Sequence, residues 1–428
     1  QNDSAEAMQM VEGIGDDMDL ASLADSVPET EDLLEQEDDA PIIRLINAIL
    51  TEAVKTNASD VHIETYEKRL VVRFRVDGVL REVVQPKRAL APLLVSRIKV
   101  MAKLDIAEKR LPQDGRVSLR VGSYDLDVRI STLPSQFGER VVLRLLDRGQ
   151  TQLGIAHLGM SERDTNAFNE IVTAPEGLVL VTGPTGSGKT TSLYAALGAL
   201  NDRQRNILTV EDPIEYSMAG VGQIQVNSKT DMTFARGLRA ILRQDPDVIM
   251  VGEIRDGETA KIAVESAMTG HLVLSTLHTN TAIGAVSRLI DMGVERFLLA
   301  PMIRGLVAQR LVRKLCADCR APHSVTETDV SLLAGSLAVG DRVYEANGCE
   351  ACGGTGYRGR LPLYEIVVAT QRLEAMIHEG ASEAALTAEA RRTGPGIMQD
   401  GAQKIGAGLT TVQEVARAVR DDVLAGER

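Results

Sequence analysis

The 428-residue sequence predicts an α/β fold in which a parallel sheet built from βαβ units follows a smaller α+β domain. Three observations carry this. From about Gly177, short apolar runs alternate with helix-favouring stretches, the pattern of strands joined by crossover helices. Earlier in the chain, the run Leu70-Val71-Val72-Arg73-Phe74-Arg75-Val76 closes on the turn dipeptide Asp77-Gly78, which marks a hairpin rather than a crossover. A glycine-rich string, Gly183-Pro184-Thr185-Gly186-Ser187-Gly188-Lys189-Thr190, lies where one apolar run gives way to a helical stretch. A chain of this length fits two or three domains.

Taken in order, the first segment is acidic. Of 60 Asp and Glu, fourteen fall in residues 1 to 40, which hold no Lys or Arg, leaving 46 acidic against 47 basic residues afterwards. The net charge of −13 thus belongs to that segment, which reads as a disordered linker, with a docking arm for a basic partner as the alternative. Order is expected from Pro41, where an amphipathic helix runs through Val54. Strand patterns at 70–76, 125–130 and 140–146 complete an α+β domain over 41–148. An α/β domain is expected over 149–312, a four-cysteine subdomain over 313–365 and a helical segment over 366–428. The last is broken by Gly394-Pro395-Gly396, and its final helix carries a capping box, Thr411 with Glu414. No stretch approaches the ~18 uncharged apolar residues of a membrane span, so membrane contact is expected to be peripheral or through a partner. No signal peptide is visible, and a start on Gln is read as the loss of a native beginning. Cysteines in two tight pairs then favour metal over disulfide and a cytoplasmic setting.

The string 183–190 matches a P-loop, and its context supports the match: the run Leu178-Val179-Leu180-Val181 leads in and a helical stretch through Leu200 leads out. Glycines let backbone amides close around phosphate oxygens, the helix N-terminus adds partial positive charge, Lys189 reaches the β- and γ-phosphates, and Thr190 offers a hydroxyl to Mg²⁺. Hydrolysis needs a group to activate water. The run Val248-Ile249-Met250-Val251 delivers Gly252-Glu253 at its C-terminal end, where α/β sheets place their chemistry, so Glu253 is the expected general base; a surface carboxylate is the alternative. Gly252 stands where many P-loop enzymes have a metal-holding Asp. Two further runs end in Glu211-Asp212-Pro213-Ile214-Glu215 and in Leu277-His278-Thr279-Asn280, so that three acids and two histidines, His271 and His278, are expected to cluster at strand ends. Glu211 is the second catalytic candidate. For His271 a satisfied polar contact is the preferred reading.

Cys316 with Cys319 and Cys349 with Cys352 form two Cys-x-x-Cys pairs. Four thiolates close a tetrahedral Zn²⁺ shell with no open position, so a structural site is expected, with redox pairs as the alternative. The second pair runs into Gly353-Gly354, suited to tight turns whose amides face sulfur, and the 29 residues between the pairs require an excursion. Strand alternation sets Arg129 opposite Leu126, Val128 and Ile130, and sets Arg140 and Arg144 opposite Val141, Leu143 and Leu145. Arg236, Arg239 and Arg243 share a helix face by their spacing.

Four ordered strings resemble the Walker A, Asp box, atypical Walker B and His box of the secretion ATPase superfamily: 183–190, Val210-Glu211-Asp212-Pro213-Ile214-Glu215, Val251-Gly252-Glu253-Ile254-Arg255-Asp256, and Gly270-His271 through Thr279-Asn280. A Gly-Glu ending of the third is the norm there. Ser59-Asp60-Val61-His62 and Leu111-Pro112-Gln113-Asp114-Gly115-Arg116 resemble the preceding domain, and with the cysteines the likeness covers nearly everything after residue 40. The type II secretion ATPases are the most similar branch and the type IV pilus extension ATPases stand close behind, whereas most retraction-type relatives lack the cysteine pairs. The resemblance implies a RecA-like ATPase domain behind a PAS-like one, with ATP, Mg²⁺ and Zn²⁺ as cofactors. It implies a hexameric homo-oligomer in the cytoplasm, docked on an inner-membrane secretion platform, whose cycle extends a pseudopilus and drives protein export. It also implies that Arg129, Arg144, Arg239, Arg243 and Arg255 read nucleotide phosphates or subunit contacts, with His278 among the nucleotide-binding candidates. The alternative of a different class is a RecA-like nucleic-acid translocase. Near-neutral charge after residue 40, seven Tyr, five Phe and no Trp argue against nucleic acid as a partner. A nucleotide-gated scaffold with negligible turnover is the remaining alternative.

Overall fold

The computed structural model describes residues 40–121, 124–147, 154–333 and 335–425; residues 1–39 of the acidic segment and 148–153, at the boundary expected between the two domains, lie outside them. The chain forms two compact units, Gln1–Thr151 and Gln152–Arg428.

The first unit opens with α1 (Ala40–Lys55), which buries Ile42, Leu45, Ile46, Ile49 and Ala53 at the spacing of one helix face. Then come β1 (Ala58–Thr65), β2 (Leu70–Val76), β3 (Val79–Val84), α2 (Ala91–Met101), β4 (Gln113–Val121), β5 (Tyr124–Ser135) and β6 (Gly138–Asp147). The strands make one sheet ordered β3-β2-β1-β6-β5-β4. The expected Asp77-Gly78 turn joins β2 to β3, both residues at positive φ (50° and 84°), the backbone that two-residue hairpins require. Val61, Ile63, Val72, Phe74, Val128, Ile130, Val141 and Leu143 bury one face in a core with α1 and α2. The opposite face is charged. Arg116, Arg129, Arg144, Asp60 and Arg75 stand in register across five strands. Arg144 Nε donates to Asp60 at 2.9 Å, and Arg73 and Arg140 converge on the buried Glu64.

The second unit begins with α3 (Glu162–Val172), capped by the Ser161 hydroxyl, which accepts from the Asp164 amide. It continues through β7 (Gly177–Thr182), α4 (Lys189–Leu200), β8 (Ile207–Glu211), β9 (Val221–Gln225), α5 (Phe234–Ile241), β10 (Val248–Val251), α6 (Gly257–Met268), β11 (Leu272–Leu277) and α7 (Gly284–Asp291) to β12 (Ile303–Leu315). An excursion carries β13 (Ala321–Ser324), α8 (Glu327–Leu332) and β14 (Arg342–Glu345) before β15 (Tyr357–Val368); α9 (Gln371–Glu379), α10 (Glu383–Thr393), α11 (Ile397–Gly406) and α12 (Val412–Ala425) follow. The large sheet is ordered β15-β12-β7-β11-β10-β8-β9 and is parallel except for β15, which runs antiparallel to β12. Every residue of β7, β10 and β11 is buried, as apolar strands covered on both faces must be.

Three local readings need correction. The limits expected at 313 and 365 cut β12 and β15, both strands of the large sheet, because their pairing from Gly305↔Val368 to Leu315↔Tyr357 joins segments that local periodicity cannot connect. The helix α5 ends at Ile241, so Arg243 falls in the turn beyond the face that Arg236 and Arg239 share. In α12 the Thr411 hydroxyl accepts from the Glu414 amide at 3.2 Å, but the Glu414 carboxylate accepts instead from the Arg313 amide (2.9 Å) and guanidinium (2.7 Å), which ties the last helix to β12.

Candidate nucleotide site and cysteine cluster

The 183–190 segment joins the C-terminal end of β7 to the first turn of α4. Gly183, Gly186 and Gly188 take φ of 148°, 79° and 89°. Space also demands the first of them: a Cβ on Gly183 would stand 2.4 Å from the Gln309 backbone carbonyl oxygen. Lys189 is only 9% exposed, and its Nζ donates to the carbonyls of Gly183 (2.6 Å) and Pro184 (3.0 Å). Burial draws its pKa down to about 8, with Glu253 resisting the fall and Arg310 adding to it. Pro184, Thr185, Gly186 and Thr190 are exposed, whereas Ser187 is buried and its hydroxyl meets no hydrogen-bonding partner among the described residues. An orphaned hydroxyl inside a glycine-rich loop at a helix N-terminus fits an anion.

Glu253 lies in the loop between β10 and α6, its side chain 18% exposed. One carboxylate oxygen pairs with Arg255 Nη2, and the other lies 3.2 Å from His278 Nε2, just past β11. Arg255 also reaches Asp212 at 3.3 Å, and its guanidinium lies over the Phe234 ring, 5.7 Å from the centroid. The structure therefore brings Glu253, Arg255, His278 and Asp212 together at the C-terminal ends of parallel strands. Glu211 ends β8 at 3% exposure, and its carboxylate accepts from the Tyr194 hydroxyl (2.5 Å), the Thr209 hydroxyl (2.6 Å) and Gln223 Nε2 (3.2 Å). Burial, reinforced by the Glu211 charge, keeps the Tyr194 hydroxyl protonated.

His271 does not join these acids. It precedes β11, so the whole strand separates it from His278; its carbonyl accepts from the Gly177 amide and its Nδ1 lies 2.8 Å from the Ser266 carbonyl, the satisfied polar contact preferred for it. Arg239 pairs with Glu258 at 2.6 Å on the surface, and Arg243 donates to the Arg239 carbonyl. Arg129 and Arg144 belong to the first unit. Sequence reasoning missed Gln309 and Arg310. They sit on β12 just past the register pair Ala308↔Thr182, behind the 183–190 loop, and their one signal was two polar residues inside an otherwise apolar run.

The four cysteine Sγ atoms lie within 4.8 Å of one another, with Cys316–Cys349 and Cys319–Cys352 at 3.9 Å and Cys349–Cys352 at 3.7 Å. A tetrahedron with Zn–S bonds of about 2.3 Å has edges of about 3.8 Å, so the donor set fits zinc. The amides facing sulfur are not those of Gly353 and Gly354, which supply the turn at φ 58° and 76°. Cys349 and Gly356 donate instead to Cys352 Sγ at 3.2 and 3.1 Å. Burial opposes ionisation of that thiol, but these bonds prevail and hold it at about 6.

A strand–loop–helix cradle beside carboxylates on neighbouring parallel strands marks a class of mixed α/β ATPases, and solved structures share the architecture. The pilus retraction motor PilT with bound ADP is 25% identical at a TM-score of 0.60, over 90% of this chain and 99% of that one. The ATPase DotB of Yersinia pseudotuberculosis shares the fold at 21% identity and a TM-score of 0.65, over 92% and 95% of the two chains. The chain belongs to the type II/IV secretion system protein family, whose model matches residues 35–417. It is 64% identical over 422 residues to the type II secretion system protein E of Pseudomonas aeruginosa, covering 99% of this chain and 84% of that protein. It is 57% identical over 422 residues to the type II secretion system ATPase E of Vibrio cholerae, covering 98% and 84%. The secretion ATPase resemblance is borne out by these relatives.

Proposed function

We propose that this chain is the ATPase motor of a type II secretion system, binding ATP on the 183–190 loop and using Glu253 to activate water. The observation that carries the reading is the pairing of a glycine cradle around a buried Lys189 with a part-exposed Glu253 whose charge Lys189 feels. In this reading the amides of 183–190 wrap the phosphates, Lys189 turns from the carbonyls of Gly183 and Pro184 to the β- and γ-oxygens, and Thr190, exposed in the first turn of α4, offers its hydroxyl to Mg²⁺. Bound Mg²⁺ would neutralise charge on the phosphate chain. Arg255 and His278 orient the Glu253 carboxylate, which takes a proton from the attacking water. Glu211, enclosed by Tyr194, Thr209 and Gln223, fixes the end of β8 and is the reserve candidate for base. Zinc on Cys316, Cys319, Cys349 and Cys352 would be structural.

The order β12-β7-β11-β10-β8, with β11 between the loop-bearing strand and the Glu253 strand, supports a RecA-like reading of the second unit, and a PAS-like reading is taken for the first. No described helix is long and apolar enough to cross a membrane. Assembly as a hexamer, docking on an inner-membrane platform from the cytoplasm and pseudopilus extension are proposed from the likeness to type II secretion relatives.

The test is the contrast between two variants. Lys189→Ala is expected to abolish nucleotide binding, whereas Glu253→Gln keeps ATP binding and loses about 10²- to 10⁴-fold in turnover. Phosphate release by Glu253→Gln at the wild-type rate would remove the base assignment and pass it to Glu211.

A further inference from the structure

At 2% exposure Arg310 is the largest of the fully buried side chains among the described residues. A permanent guanidinium charge is costly to bury and is a weak source of stability. Its placement calls for an account from what it touches. Nη1 donates to the Gln309 carbonyl at 3.0 Å, the same oxygen against which Gly183 is packed, and a Cβ on Gly183 would come within 3.1 Å of Nη1 itself. The guanidinium therefore backs the 183–190 loop at Gly183. Nη2 donates to the Asn280 carbonyl at 2.8 Å, two residues beyond His278, whose ring holds Glu253. Gln309 secures the same backing from the other side, accepting from the Ser192 hydroxyl of α4 at 2.7 Å.

We propose that Arg310 is a positioning residue that couples the 183–190 loop to the loop bearing His278, so that phosphate bound at the first sets the orientation of Glu253 through the second. This coupling rests on the proposed nucleotide reading and adds to it a mechanical link. A guanidinium presents its donors in one rigid plane. With one edge on the Gln309 carbonyl and the other on the Asn280 carbonyl, displacement of this backing by an arriving phosphate chain carries the 278–280 segment with it. Lysine would keep the charge but lose the plane.

The experiment uses the full chain and a double-mutant cycle of Arg310→Lys and His278→Ala, reading kcat, KM, the Kd for ADP and thermal unfolding. Arg310→Lys is expected to lower kcat about 10- to 100-fold, the scale of a displaced reacting group. Its Kd for ADP should stay within about threefold, the signature of a loss confined to the transition state. The double variant should be no slower than the slower single one, because both changes break one linkage. If Arg310→Lys fails to fold, Arg310→Gln, which keeps a planar amide donor, carries the same cycle. Multiplicative losses in the double variant, or an unchanged kcat in Arg310→Lys, would overturn the coupling. Wild-type turnover is measured first: its absence overturns the ATPase reading and this inference together, whereas turnover with multiplicative losses overturns this inference alone.

Discussion

Lys189 carries its charge in a poor place for one, and that fixes a pH dependence. Its pKa of about 8 lies below the ordinary lysine value of about 10.4. Below about pH 8 the group is protonated both folded and unfolded, and the burial penalty applies in full. Between about 8 and 10.4 the folded form has already released the proton that the unfolded chain still binds, so stability rises with pH across that window. Nucleotide binding runs the opposite way, since a phosphate chain needs the ammonium and must draw a proton with it. The Kd for ADP should therefore climb above about pH 8, by at most about tenfold per unit, in a fluorescence titration from neutral to alkaline pH. A Kd that is flat through this range would show that Lys189 is not a phosphate ligand. The glycines and the lysine were legible as a string because their work is local. Gln309 and Arg310 were not, because nothing near residue 309 in the chain shows that residue 183 lies beside it.

Among the elements, the excursion between β12 and β15 carries its own two-stranded sheet, β13 paired with β14, bracketed by the cysteines. We expect about one zinc per purified chain, bound at a free energy sufficient to hold such a segment folded. Chelation should make residues 316–356, between the two strands, sensitive to protease while the large sheet persists. Metal loss with an unchanged digestion pattern would show that the cysteines are not a staple. The strands β7, β10 and β11 announced themselves as short continuous apolar runs. The return strand β15 did not, because Tyr357, Arg358, Arg360 and Glu365 interrupt its apolar pattern, and its place in the sheet is decided by pairing with β12.

For the whole molecule, a single chain is not expected to be a complete catalyst. Arg116, Arg129 and Arg144 stand side by side on the charged face of the first unit, where Asp127 pairs with Arg116 and Asp60 with Arg144. An arginine supplied from a second copy can be worth about 10³- to 10⁵-fold in phosphoryl transfer. Turnover per chain should then rise with protein concentration as copies assemble, and Arg129→Ala should remove most of the rise while leaving ADP binding intact. Equal specific activity in monomer and oligomer fractions, with Arg129→Ala fully active, would return these arginines to a solvated face.

By itself the sequence determined α1, the Asp77-Gly78 hairpin, the glycine loop with Lys189 and Thr190, and the two cysteine pairs. Each depends on backbone preferences and side-chain periodicity within one or two turns of chain, and such preferences are written in adjacent residues. Only the tertiary structure decided that β12 runs behind the loop with Arg310 inward, that Cys316 meets Cys349, that His271 and His278 lie at opposite ends of one strand, and that Arg116, Arg129 and Arg144 form a row. Strand order and register are set by the mutual burial of distant segments, and that free energy belongs to the assembled sheet rather than to any stretch of sequence.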